Sequence, residues 1–141
     1  SPDRFVTLAR RLRAQGRAVV VFWGPGEHND AMRIAADAGV VCAPALSLVE
    51  MHAALTWCAT LVTIDSGLKH LAVCARVPTV TLFGPTDPRE WHMGASEDVV
   101  LWKGLSCSPC RRLDCPIGTP CMEIGEDAVM GALARAGGMP S

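Results

Sequence analysis

The sequence predicts an α/β fold, a Rossmann-like doubly wound parallel sheet formed by one domain over residues 1–141. Three observations predict it. Apolar β-like runs alternate with amphipathic helical stretches along the whole chain. The runs are rich in β-branched residues, as strands covered on both faces are. Two of them stop abruptly at polar, glycine-containing turns, "DSG" at 65–67 and "GPT" at 84–86. Half of the 141 residues are apolar, enough to bury a core without staples.

The elements follow in order. Pro2 suits a first helical turn, and Phe5, Leu8, Ala9 and Leu12 repeat at helical spacing, so a helix should run to Gly16. "AVVVFW" (18–23) reads as a strand buried on both faces. After the turn "GPGEHND", "AMRIAADAG" reads as a short helix with a glycine stop at Gly39, and "VVC" as a brief strand. "SLVEMHAALTWC" (47–58) opens with Ser47 and, three positions on, Glu50, the spacing of a capping box. "TLVTID" and "TVTLFG" are the next strands, separated by a helix from Gly67 to about Arg76. "DVVLWK" is a weaker strand, "EDAVMGALARAGG" a final helix, and "GGMPS" a frayed tail.

Composition narrows the function. A formal charge of −1 and a pI near 6.4 lack the basic footprint of a duplex nucleic-acid binder. No apolar run approaches the roughly 20 residues of a membrane span, and the first residues do not form a secretory signal. The chain reads as cytoplasmic. "GPG" lacks the GxGxxG spacing, no GxxxxGK[ST] loop occurs, and His28, His52 and His92 form no HExxH pair.

In a doubly wound sheet every strand-to-helix turn lies at the ligand edge. "DSG" and "GPT" should therefore cap adjacent strands on one side. The N–H groups of Ser66, Gly67 and Leu68 would open the helix "GLKHLAVCA" unpaired, and its positive dipole end attracts an anion such as phosphate. Gly67 removes the side chain that would block approach, while Lys69 and His70 can add donors or, for Lys69, face solvent. The alternative is that Asp65 or Ser66 is only an N-cap, a contribution of about 1 kcal/mol.

Four of the seven cysteines form "CSPCRRLDCPIGTPC", with Cys107, Cys110, Cys115 and Cys121 spaced C-x2-C-x4-C-x5-C. Three readings stay open here: a structural zinc, one or two disulfides, or unlinked thiols. Cys42, Cys58 and Cys74 lie in apolar runs and read as small buried hydrophobes. Trp23, Trp57, Trp91 and Trp102 read as core or turn packing. Arg111 and Arg112 make a local basic spot, facing water or an anionic acceptor lipid.

"DSGLKHLA" followed by "PTVTLFGPTDPREW" resembles the carboxy-terminal signature of glycosyltransferase family 9, the ADP-heptose:lipopolysaccharide heptosyltransferases. The likeness extends back through "VFWGPGE" and "LSLVEMHAALTWCATLVTID" and forward through the cysteine segment. It implies the donor-binding second domain of a two-domain GT-B enzyme. By that resemblance Glu27 would accept hydrogen bonds from ribose, and Leu46 would line the adenine pocket. Asp65 would face the sugar hydroxyls, with Ser66, Gly67, Leu68, Lys69 and His70 around the diphosphate and Thr86 and Asp87 on the opposite wall. The implied donor is ADP-heptose and the implied acceptor the lipopolysaccharide core. Transfer would be inverting, need no cofactor, and take place at the inner face of the bacterial inner membrane, in peripheral contact with it. The family's base is expected in the first domain, so none is carried onto this chain, which is expected to be a fragment inactive by itself. Two other classes stay open, a different GT-B nucleotide-sugar enzyme such as an epimerase, and a non-catalytic module stabilised by metal.

Overall fold

The computed structural model describes residues 1–92, 97–112 and 114–137. The chain divides into two compact units, Ser1–Ser47 and Leu48–Ser141. The expected α/β architecture with parallel strands is present, as one parallel sheet in each unit.

The first unit contains α1 (Pro2–Ala14), β1 (Val20–Val21), α2 (His28–Ala38) and β2 (Val41–Cys42). Pro2 occupies the start of α1, where its missing N–H has no partner to lose. Val6 and Ala9 of α1 meet Ile34 and Ala38 of α2 in a buried cluster, with Phe5, Val19, Val21 and Val40 packed against it. The glycine stop is where expected, since Gly39 closes α2 in the left-handed conformation with φ 65°. The strand expected over 18–23 is corrected to two residues. β1 pairs in parallel with β2 alone, Val20 opposite Val41. With one partner strand the run is not buried on both faces, and Val20 stays 44% exposed.

The second unit contains α3 (Leu48–Leu55), β3 (Leu61–Ile64), α4 (Gly67–Cys74), β4 (Thr79–Phe83), α5 (Pro88–Trp91), β5 (Val99–Trp102), a 3-10 turn (Pro120–Met122) and α6 (Glu126–Arg135). Its sheet has the order β3-β4-β5. β4 is the central strand and is covered on both faces, with Val80 and Phe83 wholly buried. Burying side chains of that size contributes roughly 1.5–3 kcal/mol each. The threonines of β4 are buried too, and are satisfied locally. The Thr79 N–H and hydroxyl donate to Asp98 Oδ1 at 2.8 and 3.0 Å, and Thr81 donates to Thr79 Oγ1 at 3.3 Å. α4 packs on β3 and β4, α3 on α4, and α6 on β4 and β5.

Parallel register sets the positions that matter. Ile64, the last residue of β3, stands opposite Leu82 of β4. Asp65 and Gly84 therefore emerge at the carboxyl ends of neighbouring strands, as expected.

Several packing expectations are corrected. Trp57 is 91% exposed, because α3 stops at Leu55 and the turn closed by the Cys58 N–H on the Leu55 carbonyl leaves the indole outside. Cys74 is exposed at the end of α4, and Cys42 and Cys58 are only half-buried. The fully buried thiol is Cys121. The final helix ends at Arg135, and residues 138–141 of the expected frayed tail lie outside the described residues.

Candidate functional site

The site is built on the turn from β3 into α4. Ser66 takes the N-cap position with extended backbone, yet its side chain makes no cap hydrogen bond. Its hydroxyl lies instead 3.5 Å from Thr63 Oγ1. Asp65 does not cap either, since its Oδ1 accepts from Lys69 Nζ at 2.6 Å. The Lys69 N–H is bonded to the Ser66 carbonyl at 3.1 Å. The amides of Ser66, Gly67 and Leu68 remain the unpartnered donors of the first turn among the described residues, as the geometry of any helix start requires. The cap reading left open by the sequence thus does not describe this turn.

Gly67 adds a second fact. A Cβ placed there would meet nothing within 4 Å. Its φ is not in the left-handed region, so neither packing nor backbone conformation within the protein calls for glycine. The space it leaves open faces outward, beside three free N–H groups and the positive end of the α4 dipole.

Lys69 departs most from expectation. It faces neither solvent nor an open donor position, being 1% exposed and the largest fully buried side chain among the described residues. Its ammonium donates to Asp65 and, at 2.6 Å, to the Trp91 carbonyl, and lies 5.0 Å from the centre of the Phe83 ring. His70 is half-buried, with its ring edge-on to Trp91 at 6.4 Å between centroids. Leu68 is half-buried beside it.

The opposite wall is the segment after β4. Gly84 leaves room there for the loop, because a Cβ would overlap Met122 Sδ and stand 3.2 Å from Cys121 Sγ, so that the Met122 side chain would have to shift. Ser108 Oγ donates to the Gly84 carbonyl and accepts from Trp102 Nε1, while the Arg111 N–H donates to the Pro85 carbonyl at 2.8 Å. The cysteine-rich loop therefore straps the "GPT" turn in place. Sequence reading missed this role, since backbone carbonyls as acceptors leave no signature in residue type. Beside the turn a cleft of about 320 Å³ is lined by Pro85, Thr86, Glu90, Trp91, Arg111 and Arg112. Thr86 Oγ1 is buried there without a hydrogen-bond partner, which suits the expected place of Thr86 on a ligand wall. Arg111 is tied to Glu90 at 2.5 Å in an exposed pair.

Asp87 does something other than expected. It caps α5, accepting from the Arg89 N–H at 2.9 Å, and both its oxygens are engaged by the Arg89 guanidinium. Those bonds to the Arg89 side chain, and then to its backbone, hold the Asp87 carboxyl below the usual carboxylate range. Asp87 shapes the loop, and its carboxylate is not open to a sugar hydroxyl.

Two expected contacts belong to the first unit. Glu27 is exposed in the turn before α2, and its Oε2 accepts from the Gly24 N–H at 2.8 Å. Leu46 is half-buried after β2.

The cysteine set is not gathered into a centre. Cys107 is exposed, Cys110 and Cys115 are half-buried, Cys121 is buried, and all are free thiols. Among the described residues no three of His, Cys, Asp or Glu stand together as metal ligands. Cys121 is drawn under Gly84 while Cys107 stays at the surface. Backbone N–H groups of Ile117 and Thr119 hold the Cys115 thiol below its ordinary value, while burial pushes the Cys58 thiol up. Among the described residues no helix is long and apolar enough to cross a membrane.

The sequence profile of glycosyltransferase family 9 (heptosyltransferase) matches residues 2–119. The chain belongs to glycosyltransferase family 9. Among family 9 relatives, lipopolysaccharide heptosyltransferase 1 of Pseudomonas aeruginosa is 38% identical over 112 residues, covering 77% of this chain and 31% of that protein. The Salmonella typhimurium heptosyltransferase 1 is 37% identical over 75 residues, 52% of this chain and 24% of that protein. The chain thus spans about a third or less of the length of these relatives. Among solved structures, a family 9 glycosyltransferase from Veillonella parvula superposes with a TM-score of 0.84 at 23% identity, over 97% of this chain and 41% of that one, which shows a shared fold. The Escherichia coli heptosyltransferase WaaC with ADP-2-deoxy-2-fluoro heptose gives 0.72 at 25% identity, over 95% of this chain and 38% of that one.

Proposed function

We propose that the β3–α4 turn is the diphosphate site of a nucleotide-sugar donor, and that the chain is the donor-binding part of an inverting heptosyltransferase acting on the lipopolysaccharide core. One observation carries the reading. The first turn of α4 keeps three amides uncapped by its own side chains, next to a glycine whose open side the protein leaves empty. Family membership and the ADP-sugar analogue held by a related enzyme favour ADP-heptose as the donor.

Breaking the anomeric bond leaves negative charge on the diphosphate. Amides already aimed at those oxygens stabilise the transition state more than the ground state and need no reorganisation as the charge grows. His70 and Leu68 would border the diphosphate, Asp65 and Thr86 the sugar. Glu27 and Leu46 are proposed contacts for ribose and adenine. The attacking acceptor hydroxyl needs a base, and no residue of this chain is assigned that role. A lipopolysaccharide acceptor favours a position at the cytoplasmic face of the inner membrane. A structural zinc on the cysteine loop has only the clustering of thiols in sequence in its favour.

Calorimetric titration tests the reading. ADP and ADP-heptose should bind and UDP should bind at least tenfold more weakly. Gly67→Leu should fold normally and weaken ADP at least tenfold, about 1.4 kcal/mol. Equal ADP affinity in that variant contradicts the placement of the diphosphate.

A further inference from the structure

A lysine buried to 1% exposure is costly unless its charge is matched, and this one is matched in a particular way. Its ammonium reaches Asp65 of the first turn at 2.6 Å and the carbonyl of Trp91, at the end of the opposite wall, at 2.6 Å. Phe83, wholly buried in the strand between them, supports it from below. One cation thereby ties the DSG turn to the end of α5, the helix that follows the GPT turn. It also neutralises a carboxylate that stands one residue before the uncapped amides.

We infer that Lys69 is a positioning residue that acts through Asp65: it cancels the carboxylate's repulsion of the donor diphosphate and fixes its orientation toward the donor sugar. The inference rests on the diphosphate reading of this turn. Without Lys69 a bare carboxylate would face an incoming dianion across a partly dry corner, where like charges repel more strongly than in water. The penalty should grow with the charge of the ligand. A residue that merely staples the fold would give no such dependence.

The test is titration of the chain with ADP and with adenosine, for wild type, Lys69→Met, Asp65→Asn and the double variant. Lys69→Met should weaken ADP at least tenfold more than it weakens adenosine. The double variant should return ADP to within about threefold of wild type. Asp65→Asn alone should keep ADP binding at or above wild type while losing any preference for ADP-heptose over ADP. Equal losses for ADP and adenosine in Lys69→Met, or no loss of either, overturn the inference, as does weaker ADP binding by Asp65→Asn. The last arm decides the matter even where Lys69→Met does not fold. Wild type that binds no ADP removes the diphosphate reading itself and the inference with it, and is distinguishable from both other failures.

Discussion

Gly67 and Lys69 lie two positions apart, and opposite rules govern them. Gly67 matters through the side chain it lacks on the open side, Lys69 through a long one turned inward. The open space at Gly67 is what the sequence leads one to expect, because a glycine opening a helix after a strand has a short list of uses. Lys69 was only half legible. Asp65 and Lys69 stand at i and i+4, a spacing that brings side chains together on a helix face, but sequence cannot say whether that face is wet or buried. Asp87 misled for a related reason, since the Arg89 that occupies its carboxylate follows by two residues, inside the same turn. The thiols give a prediction at this scale. Because backbone N–H groups stabilise its thiolate, Cys115 should alkylate with iodoacetamide at lower pH than an ordinary thiol, whereas Cys58, its thiol pushed up by burial, should lag. Peptide mapping after brief labelling near pH 7 reads this directly. Cys115 among the slowest sites, or all four loop cysteines protected until a chelator is added, would contradict the free-thiol loop.

At the scale of elements, strongly periodic stretches were readable and context-dependent ones were not. α1, α2 and α6 follow apolar spacing, and β3 and β4 follow continuous apolar runs, so each lies near its expected position. β1 shrank because strand length depends on partners, and it has one. α5 and the 3-10 turn at Pro120–Met122 went unseen, being single turns fixed by local caps and tertiary contact. That 3-10 turn has an energetic consequence. It places Met122 and Cys121 against Gly84, so in Gly84→Ala the Met122 side chain would have to shift away from the new Cβ. Overpacking of this kind costs about 1–3 kcal/mol. Chemical denaturation should show that loss, and adding Met122→Ala should recover part of it. A Gly84→Ala protein as stable as wild type would mean that the strap does not bear on the turn.

For the whole molecule, the fold class and the family were both legible, the first from alternating patterns and the second from an ordered set of short motifs that the family profile spans from residue 2 to residue 119. The division into two compact units was not, since both carry the same βα rhythm and no linker composition marks Ser47 from Leu48. Narrower than either is the proposal that main-chain amides at the start of α4 hold a diphosphate. The most direct measurement is an amide-resolved NMR titration of the isotope-labelled chain with ADP. The signals of Ser66, Gly67 and Leu68 should move furthest and saturate together. Saturation with those three unmoved, and the largest shifts elsewhere, would contradict it.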